Sequence, residues 1–158
     1  MNDAKWFLQQ IKKLDVFIES RLEDLARVKS LSVKVTATLD VNAMPGSGNH
    51  DKIGSAVEKI IAMEQEITKA IDTYIDKKRD IAEILDRLQD PDHRRVLQLR
   101  YFGIWNPEEN TVHYPSWEEI AEKMHYSRQW VCKLHGHALQ NLDKILKEAS
   151  LVDRSLRS

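Results

Sequence analysis

Residues 127–137 combine side chains that can hydrogen-bond to base edges with side chains that suit a phosphate. Arginine and lysine pair with guanine O6 and N7, and glutamine pairs with adenine N6 and N7. A serine hydroxyl and the free N–H groups at a helix start suit a phosphate oxygen. On a helix, the outward face and its flanks would present Ser127, Arg128, Gln129, Trp130, Lys133 and His137. This pattern favours contact with double-stranded DNA, although a merely solvated helix face can carry similar charges.

The segment that positions these side chains, 117–136, has the features of a helix-turn-helix. Ser116 and Glu119 are spaced as a capping box, which predicts a helix start at this point. Ala121 is small, as the contact between two steeply crossing helices requires. The turn needs a residue with positive φ, and His125 stands where glycine is usual; histidine tolerates this conformation better than most residues. The expected core beneath the two helices consists of Ile120, Met124, Tyr126, Val131 and Leu134.

Metal and catalytic sites find little support in the sequence. His135 and His137 are two positions apart on the predicted helix and point in nearly opposite directions, so one ion cannot bind both. Cys132 and His135 share a face, but tetrahedral zinc requires four ligands. The glycines at 46 and 48 are not followed by the lysine and serine or threonine of a phosphate-binding loop. We therefore expect no enzyme activity, no metal and no cofactor.

Composition sets the broad class. The 158 residues include 24 basic and 25 acidic side chains, giving a net charge of −1. The longest clearly apolar run, 60–63, is far shorter than the roughly 20 residues that span a bilayer. A single cysteine, Cys132, cannot form an internal disulfide framework, which indicates a reducing compartment. We expect a cytoplasmic protein without a membrane segment.

The N-terminal part has the apolar periodicity of long helices. Residues 4–30 predict one amphipathic helix, and residues 52–89 follow a heptad pattern that needs a partner. Glu64 and Lys78 interrupt the heptad seam. The partner can be helix 4–30 of the same chain, a second subunit, or both. The seam residues expected to support oligomerisation, most simply a dimer, are Ile53, Val57, Ile60, Ile67, Ile71, Ile81 and Leu85.

These signals divide the chain into two regions. Residues 1–90 are predicted to be a helical hairpin for oligomerisation, with a mobile connection near 31–51, where the helical period gives way to alternation and a loop composition. Asp90 and Pro91 predict an N-cap and first helical position. The domain 91–149 then contains a helix over 91–102, a loop over 103–115 and the helix-turn-helix. Trp105 and Trp117 could stack on a base, but we expect them to be buried anchors of the small C-terminal core. Residues 150–158 are expected to fray.

The residues 95–102, 116–121, 126–131 and 138–139 together resemble region 4 of bacterial sigma factors. The whole chain resembles the sigma-region-4-like regulators of Gram-positive phages and prophages, the ArpU/RinA-type late-transcription activators. This resemblance implies promoter-proximal DNA binding through 127–137 and contact with host RNA polymerase. The chain departs from the sigma pattern at His125, where the turn glycine is replaced, and in the longer, more aromatic loop 103–115.

The sequence thus predicts an all-α protein with an N-terminal helical hairpin and a C-terminal sigma-region-4-like helix-turn-helix. The expected function is that of a sequence-specific DNA-binding transcriptional regulator. Two alternatives use the same features differently. A phage DNA-packaging recognition subunit, similar to a small terminase, also joins a helix-turn-helix to helical assembly parts. A structural coiled-coil adaptor would use the helices without binding DNA.

Overall fold

The computed structural model describes residues 3–41 and 49–157 and confirms the all-α architecture. The α-helices are α1 (Asp3–Val41), α2 (Asn49–Leu85), α3 (Pro91–Leu97), α4 (Trp117–Met124) and α5 (Arg128–Arg157). A π-helical turn, Gln98–Phe102, directly follows α3. The antiparallel strands β1 (Ile104–Asn106) and β2 (Thr111–His113) form a hairpin, with Trp105 opposite Val112. None of the described helices combines the length and apolar character needed to cross a membrane.

The chain divides into two compact units, and both long helices contribute to each unit. The first unit comprises Met1–Lys13 and Asp76–Ser158, and the second comprises Leu14–Ile75. The predicted boundary between residues 90 and 91 differs from this division. The end of α2 belongs to the first unit because its apolar side chains are sealed in a core: Ile81, Leu85 and Leu88 are all buried.

The first unit has a continuous apolar core. The N-terminal part of α1 contributes Leu8 and Ile11, and its backbone is tied to α5 by a 2.7 Å hydrogen bond from the Ala4 N–H to Asp143 Oδ1. Helix α3 packs against α5, and so does α4. The buried apolar residues of these later elements are Val96, Leu97, Leu99, Ile120, Val131, Leu134, Ala138, Leu139 and Leu142. This core fixes the orientation of α5.

The second unit is an antiparallel hairpin of α1 and α2. Lys29 Nζ lies 2.8 Å from Glu64 Oε1, and Arg21 Nη2 lies 3.5 Å from Glu66 Oε1. The later residue of α1 thus pairs with the earlier residue of α2, as antiparallel helices require. The side chains buried within this unit include Ile18, Leu25 and Ile67. Burial, followed by the negative charge of Asp15, raises the pKa of Tyr74.

The expected connection at 31–51 is largely helical. Helix α1 continues to Val41 and α2 begins at Asn49, while residues 42–48 lie outside the described part of the chain. The alternation of β-branched residues after Leu31 suggested a break, but intrinsic propensities differ by only about 0.7 kcal/mol per residue among ordinary residues. A helix already nucleated over many residues therefore propagates through them at small cost. The Ser32 hydroxyl fits this geometry by donating to the Val28 carbonyl at 3.0 Å.

The expected frayed tail at 150–158 is also helical, since α5 extends to Arg157; Ser158 lies outside the described residues. The predicted helix 91–102 is present but ends in the π-helical turn. The Asp90 carboxylate accepts the Asp92 N–H at 2.9 Å and Pro91 occupies the first turn, which confirms the predicted cap.

Candidate nucleic-acid interface

Helix α4 begins with the predicted capping box. The Ser116 hydroxyl accepts the Glu119 N–H at 3.2 Å, and the Glu119 carboxylate accepts the Ser116 N–H at 3.1 Å. His113 Nε2 approaches the same carboxylate at 2.7 Å. The hydrogen bond with His113, followed by that from the Ser116 backbone, lowers the pKa of Glu119. These contacts fix the start of α4 relative to β2.

The turn between α4 and α5 has the left-handed residue that the sequence predicted. His125 has φ 58° and ψ 38°. The chain is held there by backbone hydrogen bonds from His125 N–H to the Glu122 carbonyl, at 3.3 Å, and from Tyr126 N–H to the Ala121 carbonyl, at 3.0 Å. A Cβ atom is sterically disfavoured in this conformation, which is why glycine is usual at such positions.

The expected core of the helix-turn-helix is present except at one position. Ile120, Ala121, Val131 and Leu134 are buried and Met124 is half-buried. Tyr126 was expected in this core but is 39% exposed. Its hydroxyl donates to Asp92 Oδ2 at 2.6 Å, and this hydrogen bond is the main cause that raises the pKa of Tyr126. The polar end of the ring is therefore used to join the turn to α3.

All six side chains predicted to contact DNA are exposed, and they lie in the Ser127 to His137 segment. Arg128 Nε lies 3.0 Å from Glu118 Oε1 on α4, and both side chains are largely exposed. The Ser127 hydroxyl accepts the Trp130 N–H at 3.2 Å, so it caps α5. Trp130 is 46% exposed and contacts Tyr126 edge to face, with ring centroids 6.5 Å apart.

The opposite side of α5 is sealed against the rest of the first unit. Val131, Leu134 and Ala138 are buried in alternation with the exposed positions Lys133 and His137. Helix α5 is thus amphipathic: its apolar side packs against the core of the first unit, and its polar side is exposed to solvent. A hypothetical Cβ at Gly136 would meet nothing within 4 Å, so packing inside the chain does not require this glycine.

His135 supports this surface from beneath, a role that the sequence did not indicate. Its Nε2 is hydrogen-bonded with the Tyr101 hydroxyl at 2.8 Å, and its ring meets Trp117 edge to face at 4.8 Å. Burial, followed by the positive charges of Arg100 and Lys5, lowers the pKa of His135 to about 4. His135 is therefore neutral at physiological pH. Among the described residues, no group of three or more His, Cys, Asp or Glu side chains is arranged to hold a metal ion.

The predicted loop at 103–115 contains the β-hairpin. The Asn106 side chain accepts the N–H groups of Glu108 and Glu109, and Asn110 has a positive φ of 54°. Gly103 is needed at the entry, because its φ is 73° and a Cβ would lie 2.6 Å from Val112 Cγ1. An asparagine-rich turn between short apolar segments is the signal that could have revealed this hairpin.

The two tryptophans expected as buried anchors differ in their surroundings. Trp105, on β1, is 56% exposed, so that expectation was wrong. Trp117 is half-buried, and the Arg100 guanidinium carbon lies 4.2 Å from its ring centroid. The π-helical turn positions this arginine and the neighbouring Tyr101, and it thereby connects α3 to the histidine beneath the exposed face of α5.

Comparison with known proteins adds one finding to this geometry. Residues 84–144 match the family model for Sigma-70, region 4. The C-terminal part of the chain is a sigma-70 region-4-like helix-turn-helix domain, which is a DNA-binding kind of domain. The match includes the end of α2 and stops within α5, so it covers less than half of the chain. No curated protein and no solved structure matches the chain.

Proposed function

We propose that this protein is a sequence-specific, double-stranded-DNA-binding regulator of transcription and that the N-terminal part of α5 is its recognition helix. The observation that carries this proposal is that one side of this segment is exposed and polar while the other side is buried and apolar. Arg128, Gln129 and Lys133 are exposed, while Val131 and Leu134 between them are buried. A helix held in this way by a sigma-region-4-like core can enter a major groove without rearrangement of the domain.

Each exposed side chain has a defined role in this proposal. Arg128 and Lys133 read guanine through O6 and N7, and Gln129 reads adenine. Ser127 and the first N–H groups of α5 meet a phosphate, which the positive end of the helix dipole favours. Trp130 and His137 contact the flanking backbone. The contact of Arg128 with Glu118 holds the guanidinium at the edge of this surface before DNA binds.

We further propose that the regulator is a phage or prophage activator that works with host RNA polymerase. The support is the combined resemblance of residues 95–102, 116–121 and 126–131 to sigma region 4 and of the whole chain to ArpU/RinA-type regulators. An activator of this kind acts in the bacterial cytoplasm. Its catalytic chemistry belongs to the polymerase, so the chain itself needs only binding surfaces and is not an enzyme.

We also propose that the active form is a homo-oligomer, most simply a dimer. One recognition helix gives little affinity, whereas two linked helices gain from effective concentration and read paired half-sites. Of the seam residues predicted for oligomerisation, Ile67, Ile81 and Leu85 are already buried within the chain, and Ile60 is half-buried. The exposed members are Ile53, Val57 and Ile71.

The DNA proposal is tested by selecting bound fragments from a random duplex pool and then titrating the selected site by fluorescence anisotropy. Arg128→Ala and Lys133→Ala should each weaken binding by about 1–3 kcal/mol if the side chain contacts a base. A phosphate contact would instead weaken binding to all sequences and flatten the salt dependence. Lys147→Ala is the matched control, because Lys147 is an exposed lysine of α5 beyond the proposed contact segment. If Arg128→Ala and Lys133→Ala both behave like the control, the recognition-helix assignment is wrong.

The same measurements separate the two alternatives. A DNA-packaging subunit would form a ring-sized oligomer in light scattering. A structural adaptor would give no mobility shift on any duplex at low salt, where even non-specific DNA-binding proteins bind.

A further inference from the structure

An aliphatic stripe lies along the exposed side of α2 in the second unit. Its members, which we call the α2 stripe, are Ile53, Val57, Ile61, Ile71 and Ile75. At 100° per residue these positions fall within an arc of about 80°, and they extend over about 33 Å of helix. All five are between 36% and 51% exposed. The contacts of α1 with α2 therefore leave this side of the helix open.

Helix α1 extends the same apolar face. Glu64 lies on the line of the α2 stripe, three residues after Ile61, and it pairs with Lys29 of α1 at 2.8 Å. Leu22 and Val33 are seven residues before and four residues after Lys29, so they lie on the same side of α1 as this lysine. Both are exposed, at 46% and 68%. The ion pair thus lies in the middle of an apolar face built from both helices.

Four of the five members of the α2 stripe pair with one another when two copies run antiparallel, while Ile61 lies beside the midpoint without a stripe counterpart. With Glu64 at the midpoint, Ile53 of one copy faces Ile75 of the other, and Val57 faces Ile71. A two-fold interface requires this property, because the same surface is present on both partners. The polar midpoint also disfavours shifted registers, in which the ion pair would face aliphatic side chains.

The charged residues beside the α2 stripe are also complementary in an antiparallel pair. Glu58 and Lys69 are exposed and lie on the same flank, about 20° apart around the helix. In an antiparallel two-fold pair, equivalent flanks meet, so Glu58 of each copy faces Lys69 of the other. At the midpoint, each Glu64 carries its own Lys29, which offsets the repulsion between the two carboxylates.

The size of the face suits a pair of hairpins. The stripe together with Leu22 and Val33 exposes on the order of 600 Å² of apolar surface, compared with roughly 800 Å² contributed by each partner to a standard interface. We infer that two copies of this chain associate through the α2 stripes, antiparallel about Glu64, to form a four-helix bundle. This inference specifies the surface for the dimer proposed above and is independent of DNA binding.

The test measures the mass of the full-length chain by sedimentation equilibrium in the absence of DNA. Wild type should have twice the 18.4 kDa chain mass. Val57→Glu should raise the dimer dissociation constant at least 100-fold. Val16→Glu is the matched control, because Val16 is a similarly exposed valine of the same unit, with exposures of 55% and 50% for Val16 and Val57. It lies about 100–120° around α1 from Leu22 and Val33, outside the proposed face. A monomeric wild type, or equal behaviour of the two variants, would overturn the inference.

A charge exchange tests the antiparallel register without introducing charge into the apolar face. Glu58→Lys and Lys69→Glu should each weaken the dimer several-fold, because each places like charges opposite one another. The double variant should return to the wild-type dissociation constant. Single variants without effect, or a double variant no tighter than the singles, would refute the antiparallel pairing. Circular dichroism of each variant establishes that the helices remain folded.

Discussion

His125 offers a sharp test of how the turn positions the recognition helix, because its backbone conformation is disfavoured for its own side chain. At φ 58° and ψ 38° the Cβ atom crowds the following carbonyl oxygen, at a cost of about 1–2 kcal/mol. Glycine removes this cost but loses more backbone entropy on folding, about 0.5–1 kcal/mol. The difference predicts that His125→Gly stabilises the protein by about 0.5–1 kcal/mol.

The measurement is thermal and urea-induced unfolding followed by far-UV circular dichroism. For a chain of this length the expected stabilisation corresponds to a rise in Tm of about 1–4 °C. His125→Ala separates the backbone effect from loss of the imidazole, because alanine keeps the Cβ and should give no such gain. Glu122→Gly, three residues earlier in regular helix, should instead destabilise by roughly 0.5–1 kcal/mol.

The result that would refute the reasoning is a His125→Gly variant that is no more stable than His125→Ala. The turn would then not adopt the left-handed conformation, or the imidazole would contribute contacts that outweigh its strain. DNA affinity provides a second readout. Because glycine fits the same backbone, the position of α5 should be unchanged, and binding to the selected site should remain within about twofold of wild type, a difference of about 0.4 kcal/mol.

Three further predictions follow from the contacts around this turn. Ser116→Ala removes the hydroxyl that caps α4 and should destabilise the protein by about 1 kcal/mol in urea unfolding, whereas Ser116→Asp should retain most of the stability. The pKa of His135 is lowered to about 4 in the folded protein, so between pH 6.5 and 4 the unfolded state binds more protons than the folded state, and the free energy of unfolding should decline as the pH falls. His135→Gln should remove this contribution. A pH profile of unfolding that is the same for the variant and the wild type would contradict the prediction. Glu118→Gln removes the carboxylate that competes with DNA for Arg128 and should tighten binding to duplex DNA at low salt by about 0.5 kcal/mol, an effect that should vanish in an Arg128→Ala background.

Local sequence signals predicted local structure well wherever a side chain bonds to nearby backbone. The caps formed by Asp90 and Ser116 follow from hydrogen bonds within three residues, so nothing distant decides them. The left-handed residue at His125 was also predictable, because a helix-turn-helix needs one there. The Tyr126 ring was placed incorrectly since its partner, Asp92, is 34 residues away in sequence.

Boundaries were less predictable than elements. The continuation of α1 beyond Leu31 depends on small propensity differences that a long helix overrides, so the β-branched alternation was misleading. The end of α2 looked like part of a uniform heptad seam, yet Ile81 and Leu85 are buried in the first unit and Ile53 and Val57 remain exposed. A heptad pattern predicts that its apolar side chains pack against another helix, but it does not predict which helix each side chain contacts.

The amino-acid sequence by itself determined the helical architecture, the capped helix starts and the set of side chains that face outward on α5, because periodicity and capping act over one or two turns. Only the tertiary structure decided that His135 is neutral beneath that surface, that Arg128 contacts Glu118, and which side of α2 stays uncovered. Those outcomes depend on residues that are distant in the chain and adjacent in space, and burial and charge act between them only after the core has formed.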